Sequence, residues 1–156
     1  DEKSHARFHA ISRSYEYRIF CGRNPFLTET TWQLINKKLN VDKMNEAAKI
    51  LLTYTNFKCF SRSNTDVRTY NCDIVKCNWL YSNQLLTFNI TADRFLRNMV
   101  RAIVGTLIEV GMGKTTIEDF KKMIETSDLI YAGPSAPAQG LFLTRVSYPK
   151  KIFINE

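Results

Sequence analysis

Residues 85–111 read LLTFNITADRFLRNMVRAIVGTLIEVG, and a change of hydrophobic period inside this stretch decides the fold. Over LLTFNITA, Leu86, Phe88 and Ile90 alternate with Thr87 and Asn89, which predicts a half-buried strand. From about Arg94 to Val110 the period lengthens. Phe95, Met99, Ile103 and Leu107 fall on one helical face, and Gly111 and Gly113 are suited to end the helix. Arg101 is the only charge between Asn98 and Ile108, and an Arg in such a run needs an anionic partner.

Upstream, RSYEYRIFC (13–21) alternates Tyr15, Tyr17, Ile19 and Cys21 against Ser14, Glu16 and Arg18, a second half-buried strand. GRNPF (22–26) breaks it. Asp42 is the expected N-cap of a helix carrying Met44, Ala47, Ala48 and Leu51 and ending near Thr53. Arg68 to Tyr81 reads as a long strand whose alternation slips between Ile74 and Val75, the mark of a bulge or of burial on both faces. SNQ (82–84) is the turn that joins it to residues 85–92. Downstream lie an amphipathic helix over about 116–126, a Pro- and Gly-rich loop at 132–140 and a closing strand, LFLTRVSY. This order predicts an α+β fold, a largely antiparallel sheet with helices packed on one face.

The chain has 156 residues, 44% hydrophobic and 24% charged, the size and composition of one globular domain. Its 22 basic and 15 acidic residues give a net charge of +7, which favours a polyanionic partner. Its apolar runs are far shorter than the ~20 residues a membrane span needs, and a signal-peptide pattern is lacking. Cys21, Cys59, Cys72 and Cys77 form no Cys-x-x-Cys pair and stand far from His5 and His9, so reduced, mostly buried thiols in a cytoplasmic protein are expected rather than zinc ligands.

Arg94, Arg97 and Arg101 are spaced by three and four, so a helix over 94–110 sets them on one side. Arg94 and Arg97 suit either a solvated stripe or phosphate contacts. Arg101, flanked by Val100, Ala102, Ile103 and Val104, calls for a carboxylate or phosphate, in either a structural or a functional ion pair. Gly105 leaves room beside it for another chain to approach. Tyr15 and Tyr17 suit a core, or one ring stacks on a nucleobase with Arg13 near a phosphate. Asp66, in a polar loop, reads as a turn former.

Four segments taken together resemble the tRNA pseudouridine synthase A family: HARFHAISRSYEYRI (5–19), NFKCF (56–60), FLRNMVRAIVGTLIEVG (95–111) and APAQGLFLTRVSYP (136–149). The resemblance implies the pseudouridine synthase fold and conversion of uridine to pseudouridine in the anticodon stem-loop of tRNA. No cofactor is needed, and a homodimer carries the tRNA across both subunits. It assigns the base-packing Tyr to Tyr15 and the partner of the nucleophilic Asp to Arg101. Arg13, Arg94 and Arg97 are the remaining candidate RNA contacts. The family's Asp motif, G-R-T-D-x-G-V-H, does not occur, since NTDVRT around Asp66 does not match it; TYTNFKC (53–59) is a smaller departure, from the family's Gly-x-x-Asp-Phe-x-Ser pattern. The expected organisation is therefore one lobe, 1–156, the C-terminal part of a synthase lacking its N-terminal lobe and inactive alone, with Arg101 in an open half-cleft facing solvent, an anion or a makeshift carboxylate. The alternatives are a non-catalytic RNA-binding or assembly module and a dimerisation domain.

Overall fold

The computed structural model of the chain describes residues 5–62, 67–127 and 133–150. Among these, five strands form one sheet: β1 (Ser12–Phe20), β2 (Trp32–Gln33), β3 (Ile74–Ser82), β4 (Leu85–Ala92) and β5 (Leu141–Ser147). Their order is β3-β4-β1. The far side of β1 is shared, β5 pairing antiparallel along Ser12–Tyr17 and β2 parallel at Ile19 and Phe20. Among the described residues only the two-residue β1·β2 pairing is parallel.

The period-two reading of β4 is met residue for residue. Leu86, Phe88, Ile90 and Ala92 are buried, and their neighbours are half-buried on the opposite face. Across the ladder Phe88 faces Trp79, with ring centroids 4.8 Å apart. The turn before β4 places Asn83 and Gln84 at φ 51° and 63°, the pair of positive values that a two-residue hairpin turn requires.

Three helices cover the inner face: α1 (Val41–Ile50), α2 (Met99–Gly111) and α3 (Ile117–Thr126). Their apolar residues join those of the sheet in one core that includes Tyr17, Met44, Phe60, Phe88, Ile103 and Phe120. Each fully buried large side chain there contributes ~1.5–3 kcal/mol of transfer free energy. The fold is α+β, a largely antiparallel sheet with helices on one face. After α2 the chain leaves helical geometry at Gly113, whose φ of 73° places it in the left-handed region that glycine adopts at helix ends.

Three boundaries differ from expectation. The N-cap of α1 is Asn40, whose Oδ1 accepts from Lys43 N–H at 3.0 Å, while Asp42 sits in the first turn and complements the helix dipole. β3 begins at Ile74 rather than Arg68, because the backbone just before it turns to another partner. Phe57 N–H bonds Tyr70 C=O and Cys72 N–H bonds Thr55 C=O. The slip in alternation is nonetheless a register shift between Ile74 and Lys76.

The third difference is the start of α2. It begins at Met99, so Arg94, Phe95 and Arg97 lie in a loop and the three arginines do not share a helical face. Asp93 Oδ1 accepts from both Asp73 N–H (2.7 Å) and Arg94 N–H (2.6 Å), which holds the chain in a turn as β4 ends. Asn98 then adopts φ 69°, a left-handed residue that stops any helix arriving from Arg94.

Candidate active site

α2 is buried on nearly every side, and Arg101 is the half-buried cation within it. Its partner is a peptide group. Arg101 Nε donates to Ala136 C=O at 2.6 Å, and Ala136 N–H donates to Arg101 C=O at 3.0 Å. Among the described residues the ion pair within contact distance is Arg18–Glu16, so of the three expected partners, solvent, an anion or a makeshift carboxylate, Arg101 does not meet the last. With Nε held, the two terminal nitrogens of the guanidinium form the planar fork that suits a carboxylate.

The segment carrying Ala136 is tied to α2 and β1 at several points. Gly133 N–H donates to Thr106 Oγ1 at 3.1 Å, and Asn98 Nδ2 to Ser135 Oγ at 2.6 Å. Gly105 admits the segment, because a Cβ there would stand 1.8 Å from Pro134 O. Tyr17, fully buried on β1, donates its hydroxyl to Pro137 C=O at 2.6 Å. Burial pushes the Tyr17 phenol up from its ordinary value, and the positive charge of Arg101 opposes that shift.

Tyr15 lies one pleat away from Tyr17 on the same face, roughly 7 Å along the strand. Its half-buried ring meets Phe95 edge-on, with centroids 5.2 Å apart. Together they line a cavity of about 550 Å³ with Arg7, Arg13, Asp93 and Arg94. Three of the sequence candidates, Tyr15, Arg13 and Arg94, thus meet in one groove. Arg13 also organises it, donating to the carbonyls of Ala10 (2.9 Å), Asp93 (2.6 Å) and Arg7. Arg94 reaches Thr69 C=O at 3.4 Å. Arg97 is exposed and does not line the groove; its carbonyl accepts from Arg62 N–H. Asp66 lies outside the described residues.

The four cysteines are free, and Cys59, Cys72 and Cys77 are buried. Desolvation pushes the thiols of Cys59 and Cys77 up to about 12 and that of Cys72 to about 11, which makes them inert. Among the described residues no helix is long and apolar enough to cross a membrane. Sequence reasoning left Tyr17 between core and stacking roles and passed over Asn98 and Thr106. The inward phase of Tyr17 was visible, but its hydroxyl contact 120 residues away was not.

The sheet thus carries a half-buried Tyr15 on its inner face, and the helix that covers it carries Arg101, held through Nε on Ala136 C=O. Residues 47–149 match the family described as tRNA pseudouridine synthase, and the chain belongs to that family. It is 50% identical over 153 residues to the tRNA pseudouridine synthase A of Porphyromonas gingivalis, and 47% over 151 residues to that of Parabacteroides distasonis. The corresponding protein of Bacillus subtilis is 36% identical over 149 residues. These alignments take in 97%, 97% and 95% of this chain, and the chain spans about 60% of the length of each relative.

Proposed function

We propose that this chain is the C-terminal, Arg101-bearing lobe of a tRNA pseudouridine synthase, converting uridine to pseudouridine in the tRNA anticodon stem-loop. The reaction breaks the C1′–N1 bond, turns the uracil and joins C5 to C1′. The C5 proton is lost and N1 gains one, so the conversion is an isomerisation without redox change or cofactor. Tyr15 packs against the base once it has left the stack. The terminal nitrogens of Arg101 hold the nucleophilic Asp ionised and aimed. That Asp comes from the segment bearing the G-R-T-D motif, which this sequence does not contain. Arg13 and Arg94 at the groove, with Arg97 nearby in the chain, supply charge for the RNA backbone. The working unit is a cytoplasmic homodimer with tRNA across both subunits.

The observation that carries this reading is the guanidinium of Arg101, fixed by Nε on Ala136 and without a carboxylate among the described residues. In the protein encoded by the complete reading frame, Arg101→Ala is expected to abolish pseudouridine formation on an unmodified tRNA transcript while weak tRNA binding persists. Near-full turnover by that variant would remove the ion-pair role.

A further inference from the structure

We infer that Tyr17 is a positioning residue for Arg101, acting through the backbone of Ala136 and Pro137. The inference rests on the reading of Arg101 given above and extends it to a residue of β1. Arg101 Nε takes Ala136 C=O and the Tyr17 hydroxyl takes the very next carbonyl, that of Pro137, each at 2.6 Å. Pro137 has no N–H, so the Ala136–Pro137 unit offers only its carbonyl, which Arg101 Nε takes, while Tyr17 holds the next unit, Pro137–Ala138, through Pro137 C=O. Tyr17 and Arg101 therefore grip two adjoining peptide units from two different elements, the sheet and the helix.

A phenylalanine would fill the same core space. The ring of Tyr17 is wholly buried, and its hydroxyl adds to that packing only the bond to Pro137. The fold also makes room for this ring at the turn just before β5. A Cβ on Gly140 would lie 2.8 Å from Tyr17 Cζ and 2.7 Å from Arg18 O. Gly105 does the same on the other side of the segment, where a Cβ would meet Pro134 O. With both units set in this way, Arg101 Nε has a fixed acceptor and the terminal nitrogens a fixed direction. Without the Tyr17 hydroxyl, Pro137 C=O loses its donor, the Pro137–Ala138 unit loosens, and the adjoining Ala136 carbonyl that aims the fork of Arg101 shifts with it.

The test uses the protein of the complete reading frame carrying Tyr17→Phe. Its tRNA Kd is expected to stay within about twofold of wild type, since Tyr17 faces the core. Its kcat is expected to fall roughly ten- to a hundredfold, the scale of a small misplacement of a catalytic group. By NMR, the Arg101 Nε–H should exchange with water about tenfold faster or more. Placing p-aminophenylalanine at 17 restores a donor to the ring and should recover most of kcat; it also serves if the Phe variant does not fold. Unchanged kcat, unchanged Nε–H exchange, or no recovery with the restored donor would each overturn the inference. If the wild-type protein forms no pseudouridine, the synthase reading fails, and the exchange of Arg101 Nε–H then decides the Tyr17–Arg101 link by itself.

Discussion

Arg101 and Ala136 are joined twice, Nε to carbonyl at 2.6 Å and N–H to carbonyl at 3.0 Å. A helix residue and a loop residue 35 positions apart thereby form a small two-point bridge. The side-chain half of that bridge uses one of the five N–H donors of the guanidinium, that on Nε, and leaves the fork available. Lysine cannot do both, having a single point of charge. Arg101→Lys in the complete protein is therefore expected to lower kcat by roughly a hundredfold or more, with tRNA binding nearly intact. Steady-state assays of tRNA pseudouridylation check this; a loss below about threefold would mean that charge alone suffices.

Gly105→Ala tests how closely the loop and helix are fitted. The added methyl would stand 1.8 Å from Pro134 O, so backbone has to move, and such overpacking costs ~1–3 kcal/mol. A lower urea midpoint with unchanged slope is expected. A variant as stable as wild type would show that the segment 133–137 rests on α2 more loosely than these contacts imply.

The N-cap of α1 separates two residues that look equivalent in sequence. Asn40→Ala removes the bond to Lys43 N–H and should destabilise the fold by ~0.5–2 kcal/mol. Asp42→Ala loses only a first-turn charge, ~0.3–1 kcal/mol. Paired denaturation curves decide the matter; the reverse order would return the cap to Asp42.

Alkaline pH should weaken the fold. Burial holds Cys59 and Cys77 protonated up to about 12 and Cys72 up to about 11, against an ordinary 9.0, and it raises Tyr17 above 10.0. The unfolded chain releases these protons first as pH rises, so the folded state binds more of them above about pH 9. The stabilisation is complete below the unfolded values and is lost as pH climbs through the folded ones. Denaturation midpoints measured in steps from about pH 8.5 to 11 should fall continuously. A flat profile would mean that the buried thiols are wetter than their positions indicate.

Much of the fold was legible because burial imposes period two on Leu86, Phe88 and Ile90 and helical spacing on Met44, Ala47, Ala48 and Leu51. The slip at Ile74 was legible for the same reason. The start of α2 was not, because apolar spacing continues through Phe95 and Met99 although Asn98 lies in left-handed geometry between them. In the site, the need of Arg101 for a partner followed from its neighbours. Its actual partner is a backbone carbonyl contributed by a Pro- and Gly-rich loop, and side-chain patterns carry no trace of such a contact. The grouping of Tyr15 with Arg13 and Arg94 depends on β1 lying beside the end of β4, a tertiary pairing that spacing along the chain does not encode.

The proposed division of labour gives this chain a positioned arginine and another segment the aspartate. The most direct test is to incubate the chain of residues 1–156 with an unmodified tRNA transcript, beside the protein of the complete reading frame, and to quantify pseudouridine by mass spectrometry of the digested RNA. Pseudouridine is predicted with the complete protein and none with the chain alone. Turnover by the chain alone at the rate of the complete protein would contradict the account.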